Sequence, residues 1–171
     1  EKHISALPPV IVGGAVIIPR GLLDKLMGRP ALFGADAAAR RRIELAAMKA
    51  VVDIEKSLGF APADVSAQNK GYDIESKIPA ELRDADGTTL RFIEVKGRAK
   101  SATSVTVTKN EILTALNQPE QYILAVVEVD GETARVVYLK KPFHKRPDFA
   151  ATSVNYDIAE LVGGATVILE R

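Results

Sequence analysis

Three residues near the middle of the chain carry the side chains that hydrolysis of a phosphate ester requires. Glu94 and Lys96 are separated by one residue in an apolar segment, and Asp73 precedes them across a turn. Residues i and i+2 of a β-strand point to the same face, so the Glu94 carboxylate and the Lys96 ammonium lie side by side. Asp73 comes close to Glu94 if the hairpin register pairs them, because opposite residues of paired strands lie about 5 Å apart.

Two carboxylates and a lysine in this arrangement form a site for a hard divalent cation, Mg²⁺ or Mn²⁺, which keeps waters that a phosphate can replace. The ion lowers the pKa of a bound water and polarises the phosphoryl oxygen, while Lys96 orients the nucleophile or offsets developing charge. The alternative is that Asp73, Glu94 and Lys96 form surface ion pairs. Glu75-Ser76-Lys77 repeats the acid-x-Lys spacing, so it is the apolar residues before Glu94, and Asp73 across the turn, that favour the site.

A long amphipathic helix is predicted over residues 36–58, with Gly59 in the position that a helix C-cap prefers. Its apolar residues fall on one arc, and they are Ile43, Ala47, Ala50, Val51, Ile54 and Leu58, widened by Leu45, Met48 and Val52. Glu44 and Glu55 project from within this arc, where a charge is costly unless it is compensated. They lie roughly 16 Å apart along the axis, so both cannot serve one metal ion. For Glu44, a role in the site and a structural pairing with Arg40 are both open.

The remaining pattern predicts strands and one short helix. Extended runs bounded by turn residues cover residues 72–76, 89–96, 104–107, 122–129, 134–139 and 165–169. An Asp-Gly turn joins the first two runs as a hairpin. Thr108-Lys109-Asn110-Glu111 is a capping box that opens a helix ending near Asn117. The box explains Glu111 structurally, and a catalytic role for it is the less favoured alternative.

These elements predict an α/β domain in which a mixed central sheet is flanked by helices, in the order helix, three strands, helix, two strands. We expect the core to cover residues 35–140. Residues 1–34 are expected to form an accessory strand or hairpin segment, because residues 10–18 are an apolar run with no helical period. Residues 141–171 are expected to form a C-terminal extension.

The composition excludes several classes of protein. The 171 residues are 47% hydrophobic and 26% charged, which excludes disordered and collagen-like chains. The absence of cysteine excludes disulfide scaffolds and cysteine-ligated metals, and His3 and His144, the two histidines, are too few for a histidine-rich metal site. The longest apolar run is far shorter than the roughly 20 residues of a membrane span. We therefore expect a cytoplasmic protein that does not enter a membrane.

Basic residues gather near the predicted site, although the net formal charge is only +1. Those closest in sequence are Arg91, Arg98, Lys100 and Lys109. A second group comprises Lys140, Lys141, Lys145 and Arg146. Each residue alone is most simply a solvated surface charge, but as a set beside a metal site they predict contacts with a phosphate backbone.

The order of these features resembles the PD-(D/E)XK, or restriction-endonuclease-like, nuclease superfamily. An Asp lies on one strand and a Glu-x-Lys on the next, with a Glu-bearing helix before them and a helix and strand after them. The chain is more narrowly similar to the NO VEIN C-terminal domains. The segments that carry the resemblance are Ile43-Glu44-Leu45-Ala46-Ala47-Met48, Gly71-Tyr72-Asp73-Ile74-Glu75-Ser76, Arg91-Phe92-Ile93-Glu94-Val95-Lys96-Gly97-Arg98 and Thr108-Lys109-Asn110-Glu111.

This resemblance implies a restriction-endonuclease-like fold and a Mg²⁺- or Mn²⁺-dependent nuclease. Asp73 and Glu94 would be metal ligands, Lys96 the catalytic lysine and Glu44 the helix carboxylate that completes the site. It also implies a nucleic-acid substrate, DNA rather than RNA, and a helicase-related ATPase in the same polypeptide or complex, as in restriction and defence systems. The alternatives are a catalytically inactive nucleic-acid-binding or docking module with the same fold, and a protein–protein interaction domain.

Overall fold

The structure is a computed structural model that describes residues 13, 14, 16, 18, 22, 23, 26, 27, 32–83, 87–100 and 102–171, with the backbone only of 32–36. The chain divides into two units, residues 1–38 and 39–171, and both sheets belong to the second. The accessory strand predicted within residues 1–34 falls largely outside the described residues.

The first helix, α1 (Leu32–Ser57), begins four residues before the predicted start and ends within one residue of the predicted end. Gly59 follows it with φ +82°, the left-handed conformation that glycine adopts most easily. Ala47 and Val51 are fully buried and confirm the apolar face. Leu45 does not belong to that face, since its side chain is 54% exposed.

Eight strands and two short α-helices follow α1 among the described residues. In chain order they are β1 (Ala61–Asp64), β2 (Ile74–Lys77), β3 (Leu90–Ala99), β4 (Ser104–Thr108), α2 (Lys109–Asn117), β5 (Tyr122–Asp130), β6 (Thr133–Lys140), β7 (Ser153–Asp157), α3 (Ile158–Gly164) and β8 (Thr166–Glu170). The capping box predicted at the start of α2 is present. The sequence pattern does not predict β1, β7 or α3.

Six of the strands form one central sheet in the order β1-β2-β3-β5-β6-β8. The pair β3–β5 is parallel and every other neighbouring pair is antiparallel. The predicted α/β class, with a mixed central sheet flanked by helices, is therefore confirmed. Four strands, β1 to β4, lie between α1 and α2 in the chain, one more than the predicted three. β1 to β3 belong to the central sheet, whereas β4 pairs with β7 in a two-stranded sheet.

The two faces of the central sheet bury separate cores. On one face, α1 contributes Ala47 and Val51, which pack with residues of the sheet that include Ile74, Ile93, Ala125 and Tyr138. On the other face, β4, α2 and α3 contribute residues that include Val105, Ile112 and Leu161, which pack with Leu124 and Leu139.

Gly97 allows β3 and α1 to approach closely. A Cβ atom at this position would lie 2.9 Å from the Cβ of Ala47 and 3.0 Å from the carbonyl oxygen of Ile43. Real Cβ atoms essentially never approach other atoms within 3.0 Å, so the glycine fixes the contact between the first helix and the end of the strand that carries Glu94 and Lys96.

Candidate active site

Asp73 lies directly before β2 and faces Glu94 across the hairpin. The register pairs Ile74 with Ile93, and the Asp73 amide donates to the carbonyl of Ile93 at 3.0 Å. The amide of Val95 in turn donates to Asp73 Oδ2 at 3.0 Å. The side chain is therefore held by the strand that carries Glu94, as the hairpin interpretation expected.

Lys96 lies between two carboxylates on the same face of β3. Its Nζ atom is 2.7 Å from Glu94 Oε1 and 2.7 Å from Glu111 Oε2. The strand alternation that sequence reasoning used thus does place Glu94 and Lys96 together. Strand alternation does not predict the contact with Glu111, because Glu111 lies in the first turn of α2.

Glu111 serves two purposes with one side chain. Its Oε2 atom accepts from the Thr108 amide at 3.0 Å and so closes the capping box, while the same atom contacts Lys96. The sequence interpretation assigned Glu111 to the cap and made a role at the site the less favoured alternative. The capping motif identifies where α2 starts, but only the crossover from β3 through β4 to β5 brings that start over Lys96.

Burial dominates the electrostatics of this group. It raises the pKa of Glu94 to about 8, with Asp73 and Glu111 adding to the rise and Lys96 opposing it. Burial also raises the pKa of Asp73, against the hydrogen bond from Val95 and the charge of Lys96. Burial disfavours the Lys96 ammonium as well, but Glu94 and Glu111 outweigh it and raise the pKa of Lys96.

The donor set fits a hard divalent cation. Glu94 and Glu111 contact the Lys96 ammonium, and Asp73 lines the same cavity. Burial makes the anionic forms of Asp73 and Glu94 costly and so raises the pKa of each, a cost that a bound cation would offset. Within the described part of the chain, no group of three or more His, Cys, Asp or Glu residues is arranged so that together they could hold a metal ion. Mg²⁺ needs no such group, because it is commonly held by one or two carboxylates and keeps several waters. Asp73 and Glu94 are the residues that could hold it.

The group opens into a cavity of about 420 Å³. Besides Asp73, Glu94, Lys96 and Glu111, its lining includes Arg41, Glu44, Met48, Ser66, Arg98 and Thr106. Glu44 therefore belongs to the cavity wall and not to the buried arc in which the helical pattern placed it. Its side chain is 59% exposed, and its Oε2 atom lies 3.6 Å from Arg41.

One comparison with known proteins decides the family. A family model described as Protein NO VEIN, C-terminal, matches residues 43–139, more than half of the chain. The chain belongs to the NO VEIN C-terminal family. The comparisons with curated proteins and with solved structures found no match.

The NO VEIN C-terminal span contains every carboxylate of the cavity and ends at the last residues of β6. The strands β7 and β8 and the helix α3 lie beyond it, and they complete both sheets. Among the described residues of the chain, no helix has the length and apolar character needed to cross a membrane.

Arg91 does not lie with the cavity residues of the NO VEIN C-terminal span. It is three positions from Glu94, so strand alternation places it on the opposite face of the sheet. There its Nη2 atom lies 3.5 Å from Oε1 of the fully buried Glu55. Its guanidinium is 5.2 and 5.4 Å from the ring centres of Phe60 and Tyr138. Arg91 is thus the cation that compensates the buried charge of Glu55. The prediction that Arg91 lies at the site is wrong, because the alternation of β3 directs it to the opposite face.

The other three basic residues predicted at the site differ in position. Arg98 lines the cavity, and its Nε and Nη1 atoms donate to the carbonyls of Ser104 at 3.1 Å and Gly97 at 2.7 Å. Lys100 is paired with Asp130 at 2.7 Å. Lys109 donates to the carbonyl of Phe149 at 2.7 Å and stands 5.2 Å from the centre of its ring. Of the four basic residues, Arg98 is the one found in the cavity lining.

Proposed function

We propose that this domain is a metal-dependent nuclease that hydrolyses phosphodiester bonds, with the residue roles of the PD-(D/E)XK superfamily. The observation that carries the proposal is that Glu94 and Glu111 both contact Lys96 while Asp73 lines the same open cavity. A purely structural ion pair needs one carboxylate for one lysine. Here the carboxylates outnumber the ammonium, which is the charge balance that a site for a divalent cation and a phosphate requires.

Each side chain then has a definite task. Asp73 and Glu94 hold Mg²⁺ or Mn²⁺, which when bound supplies Lewis acidity and an activated water. Lys96 keeps its proton, because its pKa is raised, and it stabilises charge that develops on the phosphate instead of accepting a proton. Glu111 orients Lys96 through their 2.7 Å contact. Arg98 uses two of its five N–H groups on backbone carbonyls and retains others for a phosphate oxygen.

The substrate and the wider assembly follow from the resemblance to helicase-associated nuclease domains. We propose DNA before RNA as substrate, and a helicase-type ATPase domain as partner in the same polypeptide or complex. The net charge of +1 supports this division of labour. A domain without a basic surface of its own gains little affinity for nucleic acid from counterion release, so a partner must supply the binding.

The test is cleavage by the purified chain. Supercoiled, linear and single-stranded DNA and RNA are incubated with Mg²⁺ or Mn²⁺, and with EDTA. We expect metal-dependent cleavage that falls by about 100-fold or more in Lys96→Ala and Asp73→Asn. Lys49→Ala is the matched control, because it also removes a lysine paired with a carboxylate, Asp53, but on the exposed surface of α1.

A direct readout of the metal separates binding from turnover. Titration with Mn²⁺ is expected to show a site that Asp73→Asn and Glu94→Gln each weaken. If no nucleic acid is cut by the chain, alone or with a helicase-type ATPase partner, and Lys96→Ala changes nothing in either case, the nuclease proposal fails. Binding of nucleic acid without cleavage would identify the chain as an inactive binding module instead.

A further inference from the structure

A second cavity of about 300 Å³ lies on the same face of the sheet as the carboxylate site. Its walls are mainly apolar, and they include Val126, Val137, Ile158, Ala159 and Val162. The polar residues at its edge include Arg98, Glu128 and Arg135. A concave apolar pocket with a few polar groups at one side is the usual form of a small-molecule or ring-binding site.

The register of the parallel strands places this cavity next to the carboxylate site. Lys96 pairs with Val126, and Arg98 pairs with Glu128. Neighbouring strands lie about 4.8 Å apart, so the apolar wall begins one strand away from the lysine. Arg98 lines both cavities. A ligand whose phosphate lies at Lys96 can therefore reach the apolar cavity with the groups attached to that phosphate.

In a nucleotide, the group next to the phosphate is the sugar, and the sugar carries the base, whose planar ring is the part that fits an apolar cavity. We propose that the apolar cavity receives one unstacked base of the strand whose phosphate lies at the carboxylate site, with Arg98 between the two. This inference rests on the proposed function and adds the state of the substrate. A base inside a duplex cannot enter such a pocket, so the site takes single-stranded or locally unpaired nucleic acid.

Glu128 gives the pocket a preference among bases. It lines the cavity, and a carboxylate accepts the exocyclic N–H of cytosine, adenine or guanine but has no donor for the exocyclic carbonyl groups of thymine or uracil. The pocket therefore prefers an amino-bearing base.

The experiment removes one base at a time. Fluorescence anisotropy measures binding of the full chain to a labelled single-stranded oligonucleotide in Ca²⁺, and then to copies that carry one abasic residue at each position in turn. We expect the abasic residue to weaken binding by about tenfold at one position, counted from the cleaved bond. Glu128→Leu is expected to keep this loss but to remove the preference for adenine or cytosine over thymine.

Two variants test the pocket itself. Ala159→Phe fills the cavity and is expected to bind the intact and the abasic oligonucleotide equally. Ala61→Phe adds the same ring on the exposed strand β1, at the far edge of the sheet, and is expected to behave as wild type.

The proposal fails if no abasic position changes wild-type binding by more than about twofold, or if a folded Ala159→Phe keeps the same dependence on the base. If Ala159→Phe does not fold, the wild-type abasic series decides. In these outcomes, metal-dependent cleavage can still occur, and the nuclease proposal stands. Absence of both cleavage and binding for every oligonucleotide would instead overturn the proposed function.

Discussion

Glu111 shows how one carboxylate can belong to both a helix cap and a reaction site. Its Oε2 atom contacts the amide of Thr108 and the ammonium of Lys96 at once. A glutamine at the same position still accepts from the Thr108 amide, because Gln also completes a capping box, but it removes a negative charge from Lys96. The two tasks can therefore be separated by mutation.

Glu111→Gln is expected to leave the free energy of unfolding nearly unchanged and to lower cleavage by about tenfold or more, since Lys96 loses one of its two carboxylates. Thr108→Val is expected to do the reverse: it removes the cap hydroxyl at a cost of about 1 kcal/mol and leaves the Lys96 contact in place. Urea unfolding and cleavage rates measure the two effects. Equal loss of activity in both variants would contradict a direct role for Glu111.

Glu94 makes the stability of the metal-free protein depend on pH. Its pKa rises from 4.5 to about 8 on folding, mainly through burial. Between these values the folded state holds a proton that the unfolded state releases, so the free energy of unfolding falls as pH rises. In EDTA we expect wild type to lose stability between pH 5 and about pH 8, and Glu94→Gln to lose less. A steeper loss in Glu94→Gln than in wild type would reverse the sign and refute this account.

Sequence reasoning reached Asp73, Glu94 and Lys96 because their spacing needs only strand alternation and one hairpin. It placed Glu44 in a buried arc because a helical wheel assumes that the apolar face is covered along its whole length. The face is open at Glu44, where the cavity begins. The prediction for Arg91 was wrong for a different reason. Arg91 is three positions from Glu94 on β3, so the two side chains point to opposite faces of the sheet, although the residues are close in sequence.

At the scale of elements, the buried pair of Glu55 and Arg91 joins α1 to β3. The two side chains face each other between the helix and the sheet, and burial together with the Glu55 carboxylate raises the pKa of the neighbouring Tyr138 hydroxyl. A buried ion pair adds little net stability, but removal of one partner leaves an uncompensated charge inside the protein.

Arg91→Leu is therefore expected to lower the free energy of unfolding by about 3–5 kcal/mol, and Glu55→Gln in the same chain to restore part of it. Lys49→Ala, which breaks an exposed pair on the same helix, is expected to change little. Urea unfolding measures all three. If Arg91→Leu instead leaves the free energy of unfolding unchanged and weakens nucleic-acid binding, Arg91 contacts a phosphate, as the sequence predicted.

The elements that sequence reasoning missed are those without a strong pattern of their own. β7 reads Ser-Val-Asn-Tyr-Asp, which alternates but is only five residues long and has only two apolar side chains. Its partner β4 lies 49 residues earlier, as the pair Thr106 and Asn155 shows. β1 contains Pro62 and lies at the edge of the sheet, a position where proline is tolerated. Both strands are defined by tertiary pairing, which a local pattern does not reveal.

At the scale of the whole molecule, positive and negative charges nearly balance, and several of them form local ion pairs. Twenty-three basic and twenty-two acidic residues leave a net charge of +1. Several basic side chains are already paired, among them Lys100 with Asp130 and Lys141 with Glu120. These pairs lower the positive charge that the chain can offer to a nucleic-acid backbone.

We expect the affinity of the chain for nucleic acid to fall only moderately as the salt concentration rises. The slope of log K against log salt should be between about −1 and −3, which corresponds to one to three phosphate contacts. Arg98→Ala is expected to reduce the slope by about 1. Anisotropy titrations over a range of salt concentrations measure both values, and a slope steeper than about −5 would show an extensive backbone contact that this charge pattern does not provide.

The strands that pair with β4 and β6 have a consequence for self-association. The family span, residues 43–139, contains β4 and nearly all of β6, but their partners β7 and β8 lie after it. A polypeptide trimmed to that span would present two rows of unpaired backbone groups, each a template for a strand of another copy. The segment that matches the family model is thus shorter than the chain needed to cover the edges of β4 and β6, which also requires β7 and β8.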